Sequence, residues 1–165
     1  MSQVWLITGS SRGLGRAFAE AALASGCQVA AAARNAEDLA ELKDKYGDLV
    51  LPLPLNVTSE TQASEAVKAT IRTFGKLDVL VNNAGYGNVA PIEDTTLEDF
   101  RAQIETNLFG VIILTKVVLP YFRERGSGTS SRSLPSRVAS DPLDAHRMQP
   151  LNGEWRVFPR RWRKK

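Results

Sequence analysis

Eight residues near the start, Thr8-Gly9-Ser10-Ser11-Arg12-Gly13-Leu14-Gly15, have the types and spacing of a loop that holds phosphate. They follow the apolar run Val4-Trp5-Leu6-Ile7 and precede a helical pattern. A helix N-terminus exposes free N–H groups and carries about half a positive charge, so anions are stabilised there. Gly9 allows the tight turn, while Gly13 and Gly15 leave room for a pyrophosphate and for helix–strand contact. The motif is Thr-Gly-x-x-x-Gly-x-Gly rather than Gly-x-Gly-x-x-Gly. A purely structural loop at a strand–helix junction is the alternative. Metal chemistry is not expected, because His146 and Cys27 are the sole residues of their kinds.

The elements that must position this loop follow from periodicity. Val4–Ile7, Val29–Ala33, Leu49–Leu55 and Leu77–Val81 read as strands, with Pro52 and Pro54 placing the third at a sheet edge. Between them, helices run from Gly13 to Ser25, from Asn35 to about Tyr46, and from a Ser59 cap to Phe74. The first is expected to bury Leu14, Phe18, Ala21 and Ala22. A long helix capped by Thr96 reaches about Arg125, with Leu97, Phe100, Ile104, Leu108, Val111, Val118 and Phe122 on one face. Such alternation implies an α/β fold, a Rossmann-type doubly wound parallel sheet in the order 3-2-1-4.

Residues 1–125 form the predicted nucleotide-binding domain, and 126–165 an irregular tail with no assigned element. Charge changes at the same boundary. The first 125 residues hold 12 Lys and Arg against 15 Asp and Glu; the last 40 hold 9 against 3. The basic end, Arg160-Arg161-Trp162-Arg163-Lys164-Lys165, mixes cations with an aromatic as nucleic-acid segments do, but no periodic pattern mounts it, so no nucleic acid is expected. The longest apolar stretch, Val111–Leu119, is interrupted by Lys116 and falls short of the ~20 residues of a membrane span. With one cysteine and no basic, apolar leader, the expected location is cytoplasmic, without a membrane partner.

With these motifs in order, the first ~125 residues resemble the short-chain dehydrogenases/reductases. Thr8–Gly15 resembles their cofactor loop, Asn82-Asn83-Ala84-Gly85 their second fingerprint, and Asn107 their active-site asparagine. The resemblance implies hydride transfer between a nicotinamide cofactor and an alcohol or ketone. It also implies that Asn83, Ala84 and Gly85 support the adenosine side of the cofactor and that Asn107 holds a water in a proton relay. The expected cofactor set is Gly9, Ser11, Arg12, Gly13, Leu14, Gly15, Arg34, Asn56, Val57, Asn83, Ala84 and Gly85. Asn56 stands where the family has an acid, and its carbonyl still offers an acceptor to adenine. The second strand ends Ala32-Ala33-Arg34-Asn35, without the acid that would bind a ribose 2′-hydroxyl. Arg34 and Arg12 suit a 2′-phosphate, because guanidinium donors form a planar fork, and so NADP is expected over NAD. The alternative is that both arginines are merely solvated.

The resemblance also implies a Ser and a Tyr-x-x-x-Lys. No Tyr follows Tyr121, and the only lysines after Lys116 are Lys164 and Lys165. A shifted reading frame beginning near Thr129 permits both motifs. Arg147-Met148 can then yield Tyr, Met148-Gln149 forces Ala, and Leu151-Asn152 can yield Lys. The Ser133–Pro135 stretch permits a Ser thirteen positions before that Tyr. A frameshift in the gene or in its reading is therefore inferred, to be tested on the nucleotides. The expected activity of the chain as written is slight, leaving a non-catalytic NADP(H)-binding protein as the second reading. Family members are usually homo-oligomers; here the long helix lacks its partner and the fourth strand would have an open edge, so assembly is not expected.

Overall fold

A computed structural model of the protein describes residues 2–88 and 90–132. The tail's basic end, His146 and nearly all of the shifted-frame reading lie outside the described residues. Parallel strands β1 (Val4–Thr8), β2 (Gln28–Ala33), β3 (Val50–Pro54), β4 (Val79–Asn82) and β5 (Thr129–Arg132) form one sheet in the order β3-β2-β1-β4-β5. Helices α1 (Gly13–Ala24) and α2 (Ala40–Tyr46) cover one face. Helices α3 (Glu60–Phe74) and α5 (Gly110–Arg125) cover the other. Alternation along the strands divides the core: Leu6 and Leu80 face α3 and α5, whereas Ile7, Val79 and Val81 face α1. The four alanines of β2, all buried, let helices approach both faces closely. The prolines of β3 do sit at a sheet edge.

β5 corrects the expectation of an elementless tail and of an open edge on β4. Thr129-Ser130-Ser131-Arg132 has no apolar alternation; the strand arises by pairing Val79–Asn82 with these four residues. β4 itself starts two residues later than expected, because Leu77 and Asp78 serve a polar cluster. The helix after Asn35 opens with a 3₁₀ turn, Ala36–Leu39. In α1 the buried face is Gly15, Ala19, Ala22 and Leu23, so Leu14 and Ala21 point outward, contrary to the expected stripe.

The long helix is also not uniform. Helix α4 (Leu97–Ile104) joins α5 through a π-helical segment, Glu105–Phe109. Such a segment changes the helical phase. Leu114, Val118 and Phe122 of α5 consequently face the sheet, while Leu97, Ile104 and Leu108 stay exposed, contrary to the single expected face. The whole run Leu97–Arg125 is long and apolar enough to cross a membrane by length and composition, unlike the shorter stretch apparent from sequence.

Candidate functional site

The glycine loop lies at the carboxyl end of β1, where ligands bind in open α/β sheets. Gly9 and Gly13 have φ of 68° and 58°, conformations that side chains disfavour. Ser10 anchors the turn: its N–H donates to the Ala32 carbonyl at 3.0 Å and its hydroxyl to the Ile7 carbonyl at 2.7 Å. Thr8, buried at the strand end, accepts from the N–H groups of Asn83 and Ala84, both at 2.9 Å. Asn83 returns its Nδ2 to the carbonyls of Thr8 (3.1 Å) and Gly9 (3.3 Å). The second fingerprint therefore braces the first. Thr8 was expected as part of the loop but not in the cofactor set, and its bracing role was not foreseen; the available signal was a hydroxyl residue at the strand end.

The loop fits a pyrophosphate by two observations. A Cβ at Gly15 would overlap the Gly9 carbonyl and the Asn83 amide, so only glycine brings α1 this close. Arg12 stands at the N-cap of α1 without a side-chain cap, and no acid occupies the first turn. The helix end is left to a ligand, in contrast to α3, whose Ser59 accepts from Gln62 N–H. Ser11 and Arg12 line a cleft of about 380 Å³ facing α2, together with Arg16, Glu37 and Glu41. Arg12 and Arg34 are exposed and form no ion pair among the described residues. Sequence reasoning missed Arg16, although it lies one helical turn beyond Arg12.

Asn56 is exposed beyond β3, but its Oδ1 already accepts from Thr58 N–H (3.2 Å) and Thr58 Oγ1 (2.9 Å). The acceptor expected for adenine is thus engaged within an Asx turn. Val57 is buried against Gly110, where a Cβ would lie 2.7 Å from Val57 Cγ2. Asn107 sits in the π-helical segment. Its Oδ1 accepts from Tyr86 N–H at 3.0 Å, and its Nδ2 donates to the Tyr86 carbonyl at 2.7 Å. The side chain therefore holds the loop after Gly85, and Gln103 adds a bond to Asn88 N–H. Arg132 Nη2 donates to the Asn107 carbonyl at 3.1 Å. The neighbouring Asn82 is buried with Oδ1 unpartnered.

At the opposite end of the sheet, Asp78 accepts from Val4 N–H and Lys76 Nζ, each at 2.9 Å, and from Arg125 at 3.3 Å. Burial pushes its carboxyl upward, but the bonds from Lys76 and Val4, with the Lys76 and Arg125 cations, hold it below the ordinary value. Nearby, burial raises the Cys27 thiol. No group of three or more His, Cys, Asp or Glu among the described residues is placed to hold a metal ion.

The family signature described as short chain dehydrogenase matches residues 3–130. Oxidoreductase BOA17 of Botryotinia fuckeliana is 45% identical over 160 residues, covering 95% of this chain and 57% of the relative. A 3-ketoacyl-(acyl-carrier-protein) reductase of Brucella melitensis, solved with NADH, is 32% identical with a TM-score of 0.72 over 75% of this chain and 52% of that one. ElxO, solved with NADP bound, is 29% identical with a TM-score of 0.75 over 80% and 55%. The chain thus spans about half the length of the proteins it matches. The signature covers most of the described sheet, from β1 into β5, and the loop and its brace lie inside it: this chain belongs to the short-chain dehydrogenase family.

Proposed function

We propose that this chain binds NADP(H) as the nucleotide-binding part of an oxidoreductase that interconverts an alcohol and a ketone. The observation that carries the reading is an uncapped α1 N-terminus at Arg12, with Arg34 following β2, and neither guanidinium held by a carboxylate among the described residues. The N–H groups from Ser11 to Gly15 would hold a pyrophosphate, and Arg12 and Arg34 would hold a 2′-phosphate. Asn83 to Gly85 and the backbone at Asn56 and Val57 would flank the adenosine. When bound, the nicotinamide ring supplies the hydride donor or acceptor. Asn107 orders the loop at Tyr86, and its backbone carbonyl, bonded here to Arg132, would serve a relay of protons.

A second reading rests on the absence of a Tyr-x-x-x-Lys from these 165 residues. Losing the acid–base group alone removes about 10²–10⁴-fold in rate. By itself the chain then binds cofactor with little turnover. Fluorescence titration with NADPH and NADH, followed by NADPH oxidation against a panel of ketones, tests both readings. Tighter binding of NADPH and background turnover are expected. Preference for NADH overturns the cofactor choice, and robust turnover overturns the second reading.

A further inference from the structure

The cleft between the glycine loop and α2 contains, besides Arg12, a second guanidinium that is not free. Arg16 Nε lies 2.9 Å from Glu20 Oε1, and Arg16 Nη2 lies 3.6 Å from Glu41 Oε2. The two carboxylates hold it unequally. Glu20 is one turn away on the same helix and within hydrogen-bond distance. Glu41 reaches across from α2, beyond hydrogen-bond distance, with its side chain 89% exposed against 19% for Arg16. A pair of that kind is screened by water and contributes little to stability, so releasing it costs little.

Resting on the NADP(H) reading, we propose that Arg16 is a cofactor-specificity residue and that Glu41 is its built-in competitor. The 2′-phosphate of the adenosine ribose displaces Glu41 from Arg16, so this carboxylate sets how strongly the cleft prefers a phosphorylated ribose. A phosphate monoester carries about 1.5 to 2 negative charges and accepts two parallel bonds from a guanidinium. A ribose hydroxyl carries no charge and does not compete with a carboxylate for Arg16. Glu41 therefore opposes NADP(H) while leaving NAD(H) unaffected. Glu37 and Asp38 line the same cleft without an ion pair to Arg16, so they contribute through-space repulsion only.

The test is fluorescence titration of the full chain with NADPH and with NADH, using Glu41→Gln, Arg16→Gln, the double variant and Glu37→Gln. Glu41→Gln is expected to tighten NADPH about threefold, the scale of an exposed ion pair, with NADH unchanged. Arg16→Gln is expected to weaken NADPH about tenfold, the scale of a charge-assisted bond, again with NADH unchanged. In the Arg16→Gln background, Glu41→Gln should do no more than Glu37→Gln does. NADH binding reports that each variant is folded. Equal loss of both cofactors in Arg16→Gln overturns the proposal, as does an equal gain from Glu37→Gln and Glu41→Gln. If the unaltered chain shows no preference for NADPH, the cofactor reading beneath the proposal fails with it. A preference for NADPH that none of these variants moves overturns the proposal alone.

Discussion

At the carboxyl end of the sheet, the first turn of α1 has no cap, Arg12 and Arg34 have no acid partners among the described residues, and Gly15 keeps a space clear. At the amino end, Asp78 gathers three donors, Arg125 also donates to the Leu77 carbonyl, and Tyr121 accepts from Leu77 N–H. One end leaves its donors for a ligand; the other consumes them internally. The difference teaches where this half-domain stores stability and where it gives stability up. Polar groups satisfied among themselves tie β1, β4, α5 and the approach to β5 together. Polar groups left open stay hydrated and add no such tie.

Four substitutions would break or sharpen that contrast. Gly15→Val should have the largest effect. It fills the cradle against Gly9 and Asn83 and should cost about 3 kcal/mol by denaturant unfolding, with NADPH binding lost. Asp78→Asn should cost about 2 kcal/mol by unfolding while leaving NADPH affinity unchanged, because it acts at the closed end. It should also alter the acid limb of stability. The folded Asp78 value lies below the reference 3.8, so its contribution is complete above that pH and is lost as pH falls through the folded value. The Asn variant should lack that loss in unfolding curves measured across the acid range.

Ser59→Ala removes the cap on α3 and should cost about 1 kcal/mol, again by unfolding. Arg12→Asp should act in the opposite direction. It caps α1 and complements the helix dipole, raising stability by about 0.5 kcal/mol while abolishing NADPH binding in a titration. A variant that gained stability and retained affinity would dissolve the contrast between the two ends.

Much of this arrangement was legible because local chemistry determines it. Ser59 and Thr96 cap their helices through Gln62 and Asp99 N–H groups, and Asn35 accepts from Glu37 N–H. The glycine loop was legible for the same reason: its turn needs Gly9 and Gly13 at positive φ. β5 was not legible, because Thr-Ser-Ser-Arg has no period and its pairing is dictated by β4. The π-helical segment was hidden too, since the apolar positions from Leu97 to Phe122 were projected on one unbroken helical phase. The role of Asn56 needed coordinates, because a neighbouring threonine two residues on takes its oxygen. The Asp78 cluster joins residues near 4, 76 to 78 and 121 to 129, a combination only the tertiary fold assembles.

The brace between Thr8 and Asn83 has a consequence for the order of assembly. Its partners are 75 residues apart in sequence, whereas β1 meets β2 after a single crossover. Closing the longer loop costs about 1 kcal/mol more in chain entropy, so β1 and β2 associate before β4 docks. The glycine loop reaches its final shape only when the fourth strand delivers its struts. If the chain binds cofactor as proposed, that binding would report a late event in folding rather than an early one.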